Sequence, residues 1–275
     1  MELRALTWNL FHGRDRPPNR ALDTWRSRLL RTTERDDTHV QVNRDLYDEF
    51  ARLIAGTGWD AALLQECPPR WTAGLAARAG AEGHAVLTSR NSLAPLRALI
   101  ARLNPDLIAS NEGGSNLTLV RGEIRARREL ELMPGPRPER RVMVFTRAEP
   151  ASTGGEICVA NLHASAGARL RGVAEQEILL AAERATAWAG NTPLLFGGDL
   201  NVRPEDTEVF GRLADRYGFS SPTAGLLDHL LVRGLDVAEP AAAWPPVRRE
   251  VAQGGLAIRL SDHAPVQATF VAPAG

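Results

Sequence analysis

Six short apolar runs in this chain end in groups that do not belong in a core. "ALTWN" closes on Asn9, "ALLQE" on Glu66, "ICVANLH" on Asn161 and His163, and "LLFGGDLN" on Asp199 and Asn201. "AGLLDH" carries Asp228 and His229, and "RLSDHAP" carries Asp262 and His263. Each run reads as a buried strand, and an ionised side chain is costly to bury unless it is paired or holds a metal. The fold must therefore bring these strand ends to a common edge, where a rigid scaffold can position them. Side chains alternate across a strand, so Asp199 and Asn201 are expected to project together from one end of theirs.

The rest of the pattern says what kind of scaffold this is. The longest helical periodicity covers 168–189 and stops at Gly190-Asn191. Further helices are expected over 44–55, 92–103 and 204–217, the last with Pro204 in its first turn. Leu22, Trp25 and Leu29 also keep helical spacing. Strands are expected at 115–121, 124–132, 141–147 and 156–163, with no helix between them. Consecutive strands pair antiparallel, which excludes a helical bundle and a pure βαβ repeat. The expectation is an α/β (α+β) chain in which two mixed β-sheets pack face to face with helices on the outside. Segment 80–114 fits no element cleanly. No linker divides the chain, so 1–275 reads as a single domain.

Composition removes several chemistries. All 33 basic residues are arginine, so a Walker lysine, a Schiff-base lysine and a Ser–Lys dyad are excluded. The formal charge is zero, which gives no global nucleic-acid footprint. Arginine clusters at 125–128, 137–141 and 248–249 read as solvated faces. Cys67 and Cys158 stand far apart without a CxxC motif, and read as buried thiols with a bridge left open. No apolar run reaches membrane-spanning length and "MELRALTWNL" does not read as a secretory leader, so a cytoplasmic location is expected. No obligate protein partner is indicated. His39 and His84 read as solvated, His229 as a packing or backbone-bonding residue, and Trp25, among the tryptophans, as a packing residue. His12, just past Asn9 in a glycine-bearing loop, and Trp244 are read either as packing residues or as substrate contacts.

The strand-end set holds carboxylates, carboxamides and imidazoles, with no serine in a nucleophile elbow. Oxygen ligands such as Glu66 and Asp262 suit a hard divalent ion, Mg²⁺ or alternatively Mn²⁺. Such an ion clamps a phosphoryl oxygen, which makes phosphate-ester hydrolysis the natural reaction.

Taken in order, "TWN", "LLQE", "NLH", "GGDLN", "LLDHLLV" and "SDHAP" resemble the endonuclease/exonuclease/phosphatase superfamily, over residues 6 to 270. The resemblance implies a four-layer sandwich and a divalent-metal-dependent phosphoesterase. It also implies roles, residue by residue. Glu66 is the primary metal ligand, with Asn9 and Asp262 completing or steering the coordination. Asp199 positions or deprotonates the attacking water, and Asn201 orients the same assembly and the phosphate. His263 contacts the scissile phosphate, its ring held by Asp228, and His163 stabilises the phosphate or protonates the leaving oxygen. Asn161 supports the strand end that carries His163.

Within the superfamily, the repair-endonuclease branch has an acidic residue two places after the first Asn, where this chain has Phe11. The inositol polyphosphate branch follows GDLN with an aromatic and an arginine and carries a "CDR" tripeptide, whereas this chain has "GDLNVRP" and "LLDH". The absent leader argues against secreted deoxyribonuclease and sphingomyelinase roles. A nuclease or small phosphodiesterase remains, acting on a phosphate ester that could be nucleic acid. The alternatives are a phosphomonoesterase on a small metabolite or lipid headgroup, and a non-catalytic binding module on the same scaffold.

Overall fold

Strand alternation between two buried surfaces organises the molecule. The structure, a computed structural model, describes residues 2–88, 99, 114–132 and 140–273. In chain order it opens with β1 (Glu2–Asn9), α1 (Trp25–Leu30), β2 (Glu34–Arg35), β3 (Val40–Gln41) and α2 (Tyr47–Gly56). Next come β4 (Ala61–Cys67), α3 (Thr72–Ala79), β5 (Glu82–Leu87), β6 (Ser115–Val120), β7 (Gly122–Glu131), β8 (Val142–Pro150) and β9 (Ile157–His163). Helix α4 (Arg171–Ala189), β10 (Leu194–Asp199) and α5 (Val209–Tyr217) follow. The last strands are β11 (Asp228–Arg233), β12 (Asp236–Ala243), β13 (Glu250–Gln253), β14 (Leu256–Arg259) and β15 (Val266–Val271).

Six strands in the order β12-β15-β1-β4-β6-β5 form one sheet, and five in the order β11-β10-β9-β8-β7 form the other. β1 with β4 and β9 with β10 are parallel; the remaining pairs in both sheets are antiparallel. The inner faces meet through Ala5, Leu63, Val159, Leu195, Leu230 and Phe270. Phe50 and Ile54 of α2 and Leu75 of α3 cover Trp8 and Leu64 on the outer face of the six-stranded sheet. Ile178 of α4 and Phe210 and Leu213 of α5 cover Phe196 and Leu231 on the other. Both faces of the central strands are thus covered, which is why their sequences read as nearly continuous apolar runs. The result is the four-layer sandwich, helix–sheet–sheet–helix. No helix among the described residues is long and apolar enough to cross a membrane.

Several local expectations differ from what is observed. The four successive strands do not share a sheet: β6 belongs to the six-stranded sheet and β7 to β9 to the other. The chain changes sheet at Arg121-Gly122, where a Cβ on Gly122 would lie 2.2 Å from the Glu149 carbonyl oxygen. The Arg121 guanidinium holds this corner by donating to the carbonyls of Ala55, Thr57, Trp59 and Ala79. The helix expected from Pro204 starts only at Val209, because Pro204–Asp206 form a separate 3₁₀ turn and Thr207 is extended. Leu22 likewise sits in its own turn, and Thr24 caps α1 by accepting from the Ser27 N–H at 3.0 Å. Trp25 (73% exposed) and Leu29 (46%) therefore point to solvent, not into packing.

The helix expected over 92–103 lies outside the described residues apart from Leu99. Strand β5 occupies part of the segment that fitted no element. Strand β12, almost wholly exposed and carrying Pro240, lacks the alternation that marks a strand in sequence. His84 and His39 are not solvated. His84 hydrogen-bonds Thr146 Oγ1 at 3.0 Å, and His39 hydrogen-bonds Glu250 Oε1 at 3.1 Å. Trp244 is buried against Trp8. Cys67 and Cys158 are buried free thiols.

The paired glycines of "LLFGGDLN" let β10 approach its neighbours. A Cβ on Gly198, at φ +126, would lie 2.0 Å from the Leu162 carbonyl oxygen of β9. Both the clash and the backbone strain are carried by rigid atoms, so Gly198→Ala is expected to lower unfolding free energy by about 2–4 kcal/mol. Urea unfolding followed by tryptophan fluorescence checks this; an unchanged midpoint would contradict the packing described.

Candidate active site

Alternation carries polar residues to the inner face at one rim. On β1, Thr7 and Asn9 follow Ala5 toward the facing sheet; on β4, Gln65 follows Leu63. On β9, Asn161 and His163 follow Val159, and on β10, Asp199 follows Leu195. β11 runs antiparallel to β10, with Asp228 opposite Asp199 and on the face of Leu230 and Val232. The same rule turns His229 to the helical side. There its ring packs 4.6 Å from that of Phe210, Nδ1 accepts from the Thr223 N–H, and Nε2 bonds the Val202 carbonyl. His229 is a packing residue, as expected.

Glu66 is the exception to alternation. Strict period two would send it with Ala62 and Leu64 toward α2 and α3. Instead the ladder between β4 and β6 slips between Leu64 and Cys67, and Glu66 adopts φ 48°. A bulge of this kind re-aims a side chain. Phe11, His12, Asn201 and Ser261 also have positive φ, leaving Arg31 as the one such non-glycine residue outside these strand ends among those described. Left-handed backbone is unfavourable for residues with a Cβ and gathers where surrounding structure holds functional groups in place.

The polar ends then meet. Asn9 Nδ2 donates to Asp199 Oδ2 at 2.9 Å, joining the two sheets, while Asn9 Oδ1 accepts from the Phe11 N–H at 2.9 Å. His263 Nδ1 lies 2.8 Å from Asp228 Oδ2, and its Nε2 faces Asp199 Oδ2 at 3.7 Å. His163 Nε2 is 3.6 Å from Asp199 Oδ2 and 3.9 Å from Glu66 Oε1. His12 Nε2 lies 3.2 Å from Glu66 Oε2. Asn201 departs from the expected shared projection with Asp199, because β10 ends at Asp199 and Asn201 turns left-handed at φ 55°. Its backbone N–H donates to Asp199 Oδ1 at 3.2 Å and its side chain donates to the Ala164 carbonyl at 3.0 Å.

Asp262 is exposed and makes no hydrogen bond or ion pair with these groups, although its charge acts on Glu66 and His263. Asn161 lies beneath the rim instead of in it. Its Oδ1 accepts from Gln65 Nε2 at 2.8 Å, and its Nδ2 donates to the Leu64 and Leu117 carbonyls.

Burial sets the charge states. It raises the Glu66 carboxyl above its ordinary value, opposed by the Asn9 hydrogen bond and reinforced by the Asp262 charge. Burial likewise raises Asp199, with Asp228 adding to the effect. His163 is held well below 6.5 by burial and by Arg141, so its ring is neutral at pH 7. Burial also lowers His12, to about 4. His263 goes the other way: burial disfavours its charge, but the hydrogen bond and charge of Asp228, helped by Asp199 and Asp262, raise it to about 10. It is an imidazolium at neutral pH.

This balance fits a cation. Among the described residues, the groups within ion-pair distance of Glu66 and Asp199 are imidazoles, and two of those three are neutral. The carboxylates at the rim are thus only partly balanced by paired cations, with Arg141 acting on Glu66 from farther off. Asp199, Asp228 and His263 also place ligand atoms within 4.8 Å of one another. The Nδ1 of His263 is already engaged by Asp228, however.

Two supporting residues were not singled out from the sequence. Ser261 Oγ donates to the Asn9 carbonyl at 2.6 Å and accepts from the His263 N–H at 3.0 Å, tying the two ends together. Glu177 of α4, buried, accepts from the Ser165 N–H at 2.7 Å and from its hydroxyl at 2.8 Å, fixing the loop after His163. A glutamate on an alanine-lined helix face is the one sequence signal for the second. His12 stands beside Glu66, at 3.2 Å.

Two facing mixed sheets with acidic and imidazole groups at one rim define a metal-assisted phosphoesterase class. The model of the endonuclease/exonuclease/phosphatase family matches residues 6–263, and the chain belongs to that family of phosphate-ester hydrolases, which are generally dependent on a divalent metal. Solved structures share the fold. A family member from Bacteroides thetaiotaomicron is 15% identical, covering 100% of this chain and 99% of its own at a TM-score of 0.67. The human Nocturnin catalytic domain, with bound sulfate anion, is 16% identical over 98% of this chain and 94% of its own, at 0.62. A mannosyl-6-phosphatase from Bacteroides thetaiotaomicron is 16% identical over 98% and 99%, also at 0.62. No curated protein sequence matches the chain.

The His263–Asp228 pair gives a direct test of the electrostatics. In Asp228→Asn the hydrogen-bonded anion is lost while burial remains, so the His263 pKa is expected to fall by about 1–3 units. NMR titration of the ring Cε1–H reads it. An identical titration in wild type and variant would overturn the assignment of the charge on His263 to Asp228.

Proposed function

We propose that this chain is a divalent-metal-dependent phosphodiesterase, a nuclease or small phosphodiesterase, that hydrolyses its substrate by attack of water. The observation that supports the reading is the meeting of Glu66, Asp199, His163 and His263 at one rim of the sandwich. Glu66 is the residue to hold the ion, Mg²⁺ in first place because the donor is a hard carboxylate oxygen, and Mn²⁺ in second. When bound there, the ion supplies electrophilic stabilisation to a phosphate oxygen. Asn9, with its oxygen turned to the Phe11 N–H, steers the two carboxylates through its NH₂ group. The exposed Asp262 contributes charge from outside.

The chain's own groups divide the remaining work. Asp199, held by Asn9 and by the Asn201 N–H, orients the water and accepts its proton. A carboxyl raised by burial is a better base at neutral pH than an ordinary one. His263, charged and braced by Asp228, stabilises the negative charge that grows on the phosphate. His163 is neutral, which favours hydrogen bonding to the phosphate over delivery of a proton to the leaving oxygen.

The test is a panel of diesters and monoesters assayed with Mg²⁺ or Mn²⁺. Diester cleavage is expected, lost in EDTA and reduced at least about 10²-fold by Asp199→Asn or His263→Ala. The acid limb of the pH profile should follow Asp199. Activity requires its unprotonated form, so the rise comes at a pH above the ordinary carboxylate range. Phosphate release from monoesters with diesters untouched would replace this reading by the phosphomonoesterase, and full activity of His263→Ala would remove it.

A further inference from the structure

A pocket of about 270 Å³ adjoins the reaction site at Asp262, lined by Arg16, Arg20, Arg249, Arg259 and Asp262, with Pro17 and Pro18. Four arginines and one aspartate line it, two of the arginines already paired with carboxylates outside the lining. The walls are built, not accidental. The Arg16 N–H donates to the Arg259 carbonyl at 2.8 Å, the Ser261 N–H donates to the Arg14 carbonyl at 2.9 Å, and Asp15 bridges Leu260 between them. Arg16 and Arg259 are oriented by Asp23 and Glu250.

The other two arginines are less satisfied. Arg249 is only 8% exposed. One arm donates to the Leu260 and Ser261 carbonyls, yet its buried Nε makes no hydrogen bond among the described residues. The Arg20 guanidinium, exposed, has no hydrogen-bond or ion-pair partner among the described residues. Burial, with the neighbouring Arg259 charge, presses Arg249 down to about 10 against the opposing pull of Asp262 and Glu250. Ser261 ties the pocket to the reaction site. Its carbonyl accepts from Arg249 at 2.5 Å while its hydroxyl donates to the Asn9 carbonyl at 2.6 Å.

We propose that Arg16, Arg20, Arg249 and Arg259 form a subsite for a second phosphate on the same substrate, next to the one that is cleaved. This rests on the phosphodiesterase reading and narrows it to esters that carry a further phosphate. Guanidinium donors suit such a group because their fork matches phosphate oxygens. A neighbouring backbone phosphate of a nucleic acid and a phosphate on a small molecule present the same chemistry, and the experiment separates them.

Binding is measured first, without turnover. In EDTA, calorimetry of the His263→Ala protein with inorganic phosphate is expected to show a site that weakens roughly tenfold or more when Arg20→Gln and Arg259→Gln are added. Unchanged affinity would overturn the subsite. Arg20→Gln alone, at an exposed position, serves if the combined variant melts early. Kinetics follow, with thymidine 3′-(p-nitrophenyl phosphate) with and without a 5′-phosphate. The 5′-phosphate should lower KM in the wild type but not in the arginine variants, with kcat on the plain ester unchanged. Equal KM for both esters in the wild type argues against the subsite. If neither ester is cleaved, the phosphodiesterase reading fails while the calorimetry still decides this one. Competition by a 5′-phosphorylated oligonucleotide or by a sugar bisphosphate then identifies the source, and competition by neither overturns the proposal.

Discussion

Everything at the rim depends on one buried hydrogen bond, from Asn9 Nδ2 on one sheet to Asp199 Oδ2 on the other. Directly beneath it the Gln65 amide donates to Asn161, and Thr7 shares a hydrogen bond with Gln65. Apolar packing between sheets resists separation but does not by itself specify which residue lies opposite which. Amides do, because a buried donor or acceptor left unpaired costs about 1–3 kcal/mol. A slip of one sheet across the other would break this ladder of amides at once. The site is therefore held to the same register that keeps the inner core satisfied.

With the sheets so held, the protein can keep charges where they would otherwise be expelled. The two carboxylates nearest the rim lie within ion-pair distance of imidazoles, with Arg141 acting on Glu66 from farther off, and burial neutralises His12 and His163. His263 alone is strongly favoured as a cation, because Asp228 meets its ring directly. Two chemically identical imidazoles within reach of Asp199 are thus given opposite charge states by what stands behind them. The strained backbone at Phe11, His12, Glu66, Asn201 and Ser261 belongs to the same arrangement. These turns set side chains at angles that a regular strand cannot offer.

Much of this was legible in the residue order, for a simple reason. Period-two alternation needs no tertiary information, so Asn9, His163, Asp199 and Asp228 could be placed on strand ends before any fold was known. What failed did so where alternation stops. Asn201 was expected to project beside Asp199, but the strand ends first and the backbone turns left-handed. Glu66 reaches the site only through a bulge. Trp25 kept helical spacing with Leu22, yet a cap at Thr24 separates the two and leaves Trp25 in solvent. β12 was invisible because an exposed edge strand has no buried face to mark it.

By itself the sequence determined the element types, the apolar stems with their polar tips, and the exclusion of lysine chemistry, because each depends on local periodicity or on composition. The order of its motifs also pointed to the family. Only the tertiary structure decided that His12 stands against Glu66, that Asp262 lines a pocket with four arginines while its charge still acts on Glu66 and His263, and which histidines carry charge. Distances between remote strands and the dielectric around a ring are properties of packing. Neither is written in the spacing of residues along the chain.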